Sequence, residues 1–366
     1  MPSQPRWDLA VTHRGDDLTE FVEDYFGRPD RRVLLIAGAG FDPRSTLVCD
    51  LLASVAPTSL RGVFVREERP APDVKLVEMA DTNASAMTRS IPNHEVVRIP
   101  VFDASGTLIG GRRISSYLAK LSLDGFTDVV VDLSALSVGI SFPIVKFLFA
   151  QCCAEGPGFN LHVFVAHHPG VDRGIVSVPS EIVTPVHGFA GELTLTANKE
   201  HAARLWLPQL APGRGTTLGK IHQKVEPDEV CPILPFPASD PRRGDSLLEE
   251  LLEAGDIPWA TDARSIVYAD EGDPLDLYRT ILRLHALRKP VFEELGGSKL
   301  ILSPVGSKVM ALGALLAALE EDLPVMYLET FSYEVEGLVM SRSEPELLHV
   351  WLVGALPTDT NPVDGD

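Results

Sequence analysis

Residues 33–45 read Val33-Leu34-Leu35-Ile36-Ala37-Gly38-Ala39-Gly40-Phe41-Asp42-Pro43-Arg44-Ser45. Five consecutive apolar residues, too few for a helix and followed by turn residues, are the pattern of a strand covered on both faces, as in a parallel sheet sandwiched by helices. The glycines supply a tight turn. Asp42 before Pro43 marks a helix start, because the carboxylate accepts from free backbone N–H groups and proline suits the first helical position. Strand, turn and helix in this order make one crossover unit. Residues 230–245, VCPILPFPASDPRRGD, repeat the plan, with Asp240-Pro241-Arg242 in the place of Asp42-Pro43-Arg44.

Outward from these two stretches the alternation continues. Strands are predicted over 62–65, 128–133, 161–166, 265–269, 300–303 and 325–328, and helices over 46–55, 114–121, 144–150, 246–254, 275–287 and 307–319. Residues 17–25 have helical spacing of Leu18, Phe21, Val22 and Tyr25, whereas 73–93 have a mixed pattern. Residues 95–109 read as a hairpin turning at 103–106, residues 192–196 and 204–207 as strands, and 337–341 with 347–353 as an antiparallel pair. Other features recur. Glu67-Glu68-Arg69-Pro70 matches Asp270-Glu271-Gly272-Asp273-Pro274, Leu133-Ser134 matches Leu302-Ser303, and Trp206-Leu207 matches Trp351-Leu352. The predicted fold is α/β, two tandem Rossmann-like parallel-sheet units with the pattern of an internal duplication. The divisions are an N-terminal helical segment (1–30), a first unit (31–210) with an inserted hairpin near 95–110, a linker (211–229), a second unit (230–354) and a disordered acidic tail (355–366).

Composition narrows the function. The chain has 366 residues, 45% hydrophobic and 23% charged, enough for two domains with their own cores. Its formal net charge of -19 repels polyanions, which argues against extended nucleic acid as a partner and leaves room for a local basic pocket. No apolar stretch reaches the roughly 18 residues of a membrane span, and residues 1–17 lack the order of a signal peptide. A cytoplasmic protein is expected. Cys49, Cys152, Cys153 and Cys231 show no CxxC spacing, so they read as reduced thiols with no zinc site.

In open parallel sheets ligands bind at the carboxyl ends of strands, where helix N-termini offer backbone N–H groups to anions. The candidate ligand-binding residues fall there. Gly38 and Gly40 permit close backbone approach, and Ser45 closes the same turn. Arg44, Arg242 and Arg243 offer guanidinium forks to a phosphate or carboxylate. Glu67 and Asp270 follow the second strand of each unit, Ser134 follows the third, and Gly306-Ser307-Lys308 forms a strand-to-helix turn. Each has a purely structural alternative: Asp42 and Asp240 as helix caps, the arginines as partners of nearby carboxylates. His167 and His168, with Asp172, read as an acid–base pair or a solvated turn. Gly-x-Ser-x-Gly, HExxH and Walker patterns are absent, so no catalytic residue is assigned. Adjacent carboxylates at 67–68 and 270–271 read as solvated, and no metal is expected.

Residues 296–328, GGSKLILSPVGSKVMALGALLAALEEDLPVMYL, resemble the last segment of CRISPR-associated Rossmann-fold (CARF) domains. The resemblance implies a pocket built by two units for an oligonucleotide messenger, with Ser307 and Lys308 as contacts and Ser134 and Ser137 as counterparts. It also implies a regulatory role in bacterial defence exercised through a protein partner. The chain departs from that family in its Ser-Pro-Val-Gly-Ser-Lys turn and in carrying no attached nuclease domain. Residues 34–45 are similar to the first motif of S-adenosylmethionine-dependent methyltransferases, which implies that cofactor, with Glu67 or Glu68 on its ribose and Asp132 as a further motif residue. The expected function is therefore binding of a nucleotide-like or other small anionic ligand by a sensor. A transferase using a nucleotide cofactor or S-adenosylmethionine is the alternative, and a non-catalytic scaffold the third reading.

Overall fold

The computed structural model of the protein describes residues 5–55, 59–155, 158–191, 202–253, 263–335 and 345–354. In chain order, β1 (Thr12–Arg14) leads into α1 (Gly15–Phe21) and a π-helical turn at Val22–Phe26. Then come β2 (Val33–Gly38), α2 (Leu47–Val55), β3 (Leu60–Glu68), α3 (Val74–Ser90), β4 (His94–Pro100), α4 (Gly110–Leu118), β5 (Asp128–Asp132), α5 (Val138–Glu155) and β6 (Asn160–His167). A short helix α6 (Pro169–Gly174) and the long strand β7 (Ile175–Pro185) lead to the second half: β8 (Ala203–Pro208), α7 (Gly215–Val225), β9 (Glu229–Val230), β10 (Ile233–Pro235), α8 (Arg243–Glu253) and β11 (Val267–Ala269). The chain continues through α9 (Pro274–Phe292), β12 (Ser298–Ser303), α10 (Lys308–Glu320), β13 (Met326–Val335) and β14 (Glu346–Val353).

The first sheet has the order β1-β14-β6-β5-β2-β3-β4, with β2 to β6 parallel and β14 antiparallel to β6. The second is assembled from shorter ladders. β12-β8-β9 and β10-β11 are parallel, and β13 pairs with β7 antiparallel. Single parallel bridges, Gln209–Ile233 and Leu302–Val325, join them. With β9 and β10 on one line, the order becomes β11-β10-β8-β12-β13-β7. Both sheets thus run third, second, first, fourth and fifth strand, then an antiparallel sixth. The sixth strands are exchanged: β7 follows β6 in sequence yet completes the second sheet, and β14 follows β13 yet completes the first.

β2 is buried at every position, as its apolar run requires. Strand alternation sends Val33, Leu35 and Ala37 to the face covered by α1 and α2, and Leu34 and Ile36 to the face covered by α5. That second face continues into α9 and α10, so one apolar layer serves both halves. α10 is buried from Val309 to Ala318. Each large side chain there contributes about 1.5–3 kcal/mol by leaving water, and Gly313 lets α9 come close, since a Cβ would lie 2.5 Å from Pro274 O.

Several expectations are corrected by these pairings. Residues 204–207 lie in β8, whose neighbours are β9 and β12, so they open the second sheet rather than close the first. The stretch expected as a linker contains α7. The two Asp-Pro-Arg motifs are not equivalent, because one follows the first strand of its sheet and the other the second strand. Likewise Trp206 lies in β8 and Trp351 in the exchanged β14. The expected hairpin insertion is mostly β4, a parallel partner of β3, and only the Phe102–Leu108 bridge closes its turn. The strands expected at 192–196 and 337–341 and the tail 355–366 lie outside the described residues. No helix among the described residues is long and apolar enough to cross a membrane.

Candidate functional site

The switch point of the first sheet lies between β2 and β5, where the chain leaves the central strand in opposite directions. The two strand-end loops touch there: a Cβ on Gly38 would sit 2.9 Å from the Ala135 carbonyl carbon and oxygen, which is why glycine is required. In the second sheet the corresponding crevice lies between β8 and β12, and a Cβ on Gly306 would sit 2.9 Å from Gln209 Oε1. Loops from both crevices line a single cavity of about 770 Å³. The first sheet contributes Gly40 to Arg44, Val65 to Arg69 and Ser134 to Val138; the second contributes Ala211 to Arg214, Pro304 to Lys308 and side chains of β13.

Seven cationic side chains line the cavity (Arg44, Arg66, Arg69, Arg98, Arg214, Arg243 and Lys308) against four carboxylates (Asp42, Glu67, Glu68 and Asp73). Three further carboxylates pair with these cations from behind the lining: Asp81 with Arg66, Glu329 with Arg69 and Glu271 with Arg243. One wall is apolar and aromatic, with Leu76, Val77 and Ala80 of α3 beside Phe41 and Tyr333, whose rings are 5.0 Å apart. Several helices begin at the cavity, α10 and α5 among them. α10 is capped by Ser307, whose Oγ accepts from Met310 N at 3.3 Å. α5 follows Ser137, whose buried Oγ has no hydrogen-bond partner. Lys308 Nζ donates to Leu136 O, tying the start of α10 to the loop before α5.

At the wall between the halves, Arg69 Nη2 lies 2.8 Å from Glu67 Oε2 and 3.0 Å from Glu329 Oε1, and Nη1 donates to Thr330 O. Its guanidinium carbon is 4.9 Å from the Tyr333 ring centroid. Glu67 Oε1 accepts from Ser137 N at 2.7 Å. Glu329 Oε2 has no hydrogen-bond partner and lies against Gly139, where a Cβ would collide with it. Burial pushes the Glu329 carboxyl above the usual carboxylate range, with Arg69 pulling it down. Burial also pushes Asp132, at the end of β5, up to about 6, opposed by hydrogen bonds from Ser134.

The sequence-derived candidates are partly brought together. Gly40, Arg44, Glu67, Ser134, Arg243, Gly306, Ser307 and Lys308 line the cavity; Gly38, Ser45, Arg242 and Asp270 do not. Arg44 is buried and engaged by its own capping residue, with Nη2 and Nε at 2.8 and 3.0 Å from the Asp42 oxygens. Arg242 is exposed, whereas Arg243 turns inward and pairs with Glu271 at 2.9 Å. Asp270 accepts from Gly272 N at 2.8 Å and shapes its own loop. Sequence reasoning missed Phe41, Arg69, Arg214, Glu329 and Tyr333; of these, Phe41 within residues 33–45 and Arg69 within the Glu-Glu-Arg-Pro signal had a local cue. His168 is buried and accepts from Val171 N at 3.1 Å, so it caps α6 rather than standing in a solvated turn. Cys49 and Cys152 are buried, and burial pushes their thiols up to about 12 and about 11. Among the described residues no group of three or more His, Cys, Asp or Glu is placed to hold a metal ion.

No family model matches the chain, and neither does any curated protein. Among solved structures it is similar to a universal stress protein from Pseudomonas aeruginosa UCBPP-PA14, at 10% identity over 82% of this chain and 94% of that one, with a TM-score of 0.23. It is also similar to the N-terminal domain of human METTL16, at 13% identity over 46% of this chain and 62% of that one, again with a TM-score of 0.23. Likeness this shallow carries no argument about activity. The Rossmann-like description rests on the strand order itself.

Proposed function

We propose that the protein binds a small organic anion of nucleotide size in the cavity between its two sheets. The carrying observation is a cavity of about 770 Å³ lined by seven cationic side chains, five of them held by carboxylates and Arg214 and Lys308 donating to Ser177 Oγ and Leu136 O, within a chain of net charge -19. Where the lining is buried, as at Arg44 and Arg69, charge attraction is worth more than in water. The apolar wall of α3 with Phe41 and Tyr333 suits a planar ring, and the Arg214 and Lys308 side suits phosphate or carboxylate. On this reading the protein is a regulatory binder. Its ligand spans loops of both halves and changes how they are joined, and a protein partner reads the change.

The methyltransferase reading needs a carboxylate at the end of β3 for the ribose. Both oxygens of Glu67 are already taken by Ser137 N and Arg69, and Glu68 pairs with Arg98 at 2.9 Å. This geometry favours the anion-binding reading over S-adenosylmethionine. The test is a thermal-shift series with inorganic phosphate, adenosine, AMP, a cyclic dinucleotide and S-adenosylmethionine. A ligand present at 100 times its dissociation constant adds about 2.7 kcal/mol to stability. A phosphorylated probe is expected to stabilise the wild type, and Lys308→Met to remove the effect. Stabilisation by adenosine and AMP alike, or none by any probe, would sink the proposal.

A further inference from the structure

Far from the cavity, three histidines join four adjacent strands. His13 of β1 faces His349 of β14 in the ladder register, with their Nδ1 atoms 2.9 Å apart. His349 Nε2 is 3.0 Å from His162 Nδ1 of β6, and His162 Nε2 is 3.2 Å from Asp128 Oδ1 of β5. Asp128 also accepts from Tyr25 OH at 2.8 Å, Asn160 Nδ2 at 3.0 Å and Thr127 Oγ1 at 2.6 Å. His162, His349 and Asp128 are fully buried. Phe21 of α1 covers the row, stacked on His13 at 4.0 Å and on His349 at 4.7 Å between centroids.

The proton positions follow from one end. Asp128 can only accept, so His162 Nε2 carries a proton and its neutral ring accepts at Nδ1. His349 must then donate from Nε2 and accept at Nδ1, and His13 must donate from Nδ1. One extra proton fits the count, because His13 can reverse its tautomer and accept from a doubly protonated His349. A second extra proton cannot fit. It sets two N–H groups head to head across a gap of about 3 Å and puts two cations side by side under Phe21.

We infer that His13, His349 and His162 form a proton-operated key that holds the exchanged strand β14 in the first sheet, locking it while neutral and releasing β1 and β14 when they take up protons. The other titratable and charged groups facing the row are Asp17 on α1, Tyr25 in the π-helical turn, Arg31 before β2 and Asp128 on β5. Asp17 favours a cation at His13. Arg31, 3.8 Å from Asp128 Oδ2, opposes one at His162. Burial dominates and holds all three histidines below their ordinary value, His349 well below it. Opening restores an ordinary value near 6.5, so below that pH the open state binds more protons and opening grows more frequent.

Hydrogen exchange on the full chain between about pH 7.5 and 5 tests this, with amide opening at β1 and β14 compared with β2 and β3 after correction for intrinsic exchange. Each histidine that charges on opening multiplies the opening constant by up to about tenfold per pH unit. The expected result is a rise steeper than tenfold per unit at β14 below about pH 6.5, absent from β3, with His13→Gln lowering the slope by about one such factor. Nitrogen NMR at neutral pH is expected to find His162 and His349 protonated on Nε2 and His13 on Nδ1. Equal pH dependence at β14 and β3, an unchanged slope in His13→Gln, or a different tautomer pattern would each overturn the inference. His13 is only partly buried, so its variant keeps the test open even where His349→Gln does not fold.

Discussion

Arg69→Met removes the cation that joins the two halves at the cavity wall. In the folded protein Arg69 lies 2.8 Å from Glu67 and 3.0 Å from Glu329, with side-chain exposures of 7%, 13% and 1% respectively. Breaking a buried ion pair by deleting one partner costs about 3–5 kcal/mol, because the remaining charge is left uncompensated. The two carboxylates do not suffer equally. Glu67 keeps the Ser137 N–H at 2.7 Å, whereas Glu329 keeps only the Thr330 N–H at 3.1 Å and already has one oxygen without a partner. Burial holds the Glu329 carboxyl above its ordinary value in the wild type, and loss of Arg69 pushes it further. The folded variant then holds a proton that the unfolded chain has released, so its stability falls as pH rises through that interval. Urea unfolding of Arg69→Met is expected to show a loss of about 3 kcal/mol or more near pH 8 and a smaller one near pH 5. Adding Glu329→Gln, which removes the stranded charge, is expected to recover much of it. A loss below about 1 kcal/mol at both pH values, the range of exposed pairs, or no recovery in the double variant, would refute the reasoning.

Three further outcomes are expected. Gly38→Ala places a methyl 2.9 Å from backbone atoms of Ala135, and spreading the β2 and β5 loops is expected to cost about 1–3 kcal/mol in denaturant melts, as overpacking does. Ser303→Ala removes the hydroxyl that accepts from Trp206 Nε1 at 2.8 Å and donates to Met326 O at 2.9 Å, linking three strands. The stranded indole N–H is expected to cost about 1–3 kcal/mol, measured the same way. Asp132, raised to about 6 in the fold, makes stability fall as pH rises from about 4 through 6, by roughly 1.4 kcal/mol for each unit of the shift. Asp132→Asn, measured at pH 5 and 7.5, is expected to flatten that part of the profile.

What was readable in the sequence depended on whether its cause was local. β2 announced itself through an unbroken apolar run, and Asp42 through its position before proline; both are properties of neighbouring residues. α3 escaped notice because it buries only Leu76, Ala80 and Met87 among polar neighbours, although Asp73 accepting from Lys75 N at 2.8 Å is an ordinary cap. Membership of a sheet was not local at all. β8 resembles any short strand, and its assignment to the second sheet depends on β12, which follows about ninety residues later. The exchange of β7 and β14 has the same character: each leaves the unit whose sequence it follows. At the site, the loops carrying Gly40, Ser134 and Lys308 were legible as strand ends, but their convergence required both halves to face one cavity. Arg44 shows the remaining gap: pairing with a nearby carboxylate was legible, but not that the partner would be the capping residue Asp42 itself.

The most direct test of the central claim is isothermal titration calorimetry of the wild type and Lys308→Met with AMP and a cyclic dinucleotide at two salt concentrations. The account expects saturable binding of a phosphorylated probe by the wild type, weaker at high salt because charge attraction is screened, and at least tenfold weaker in Lys308→Met. No heat from either probe, or equal affinity in the two proteins, would contradict a binding site in the cavity.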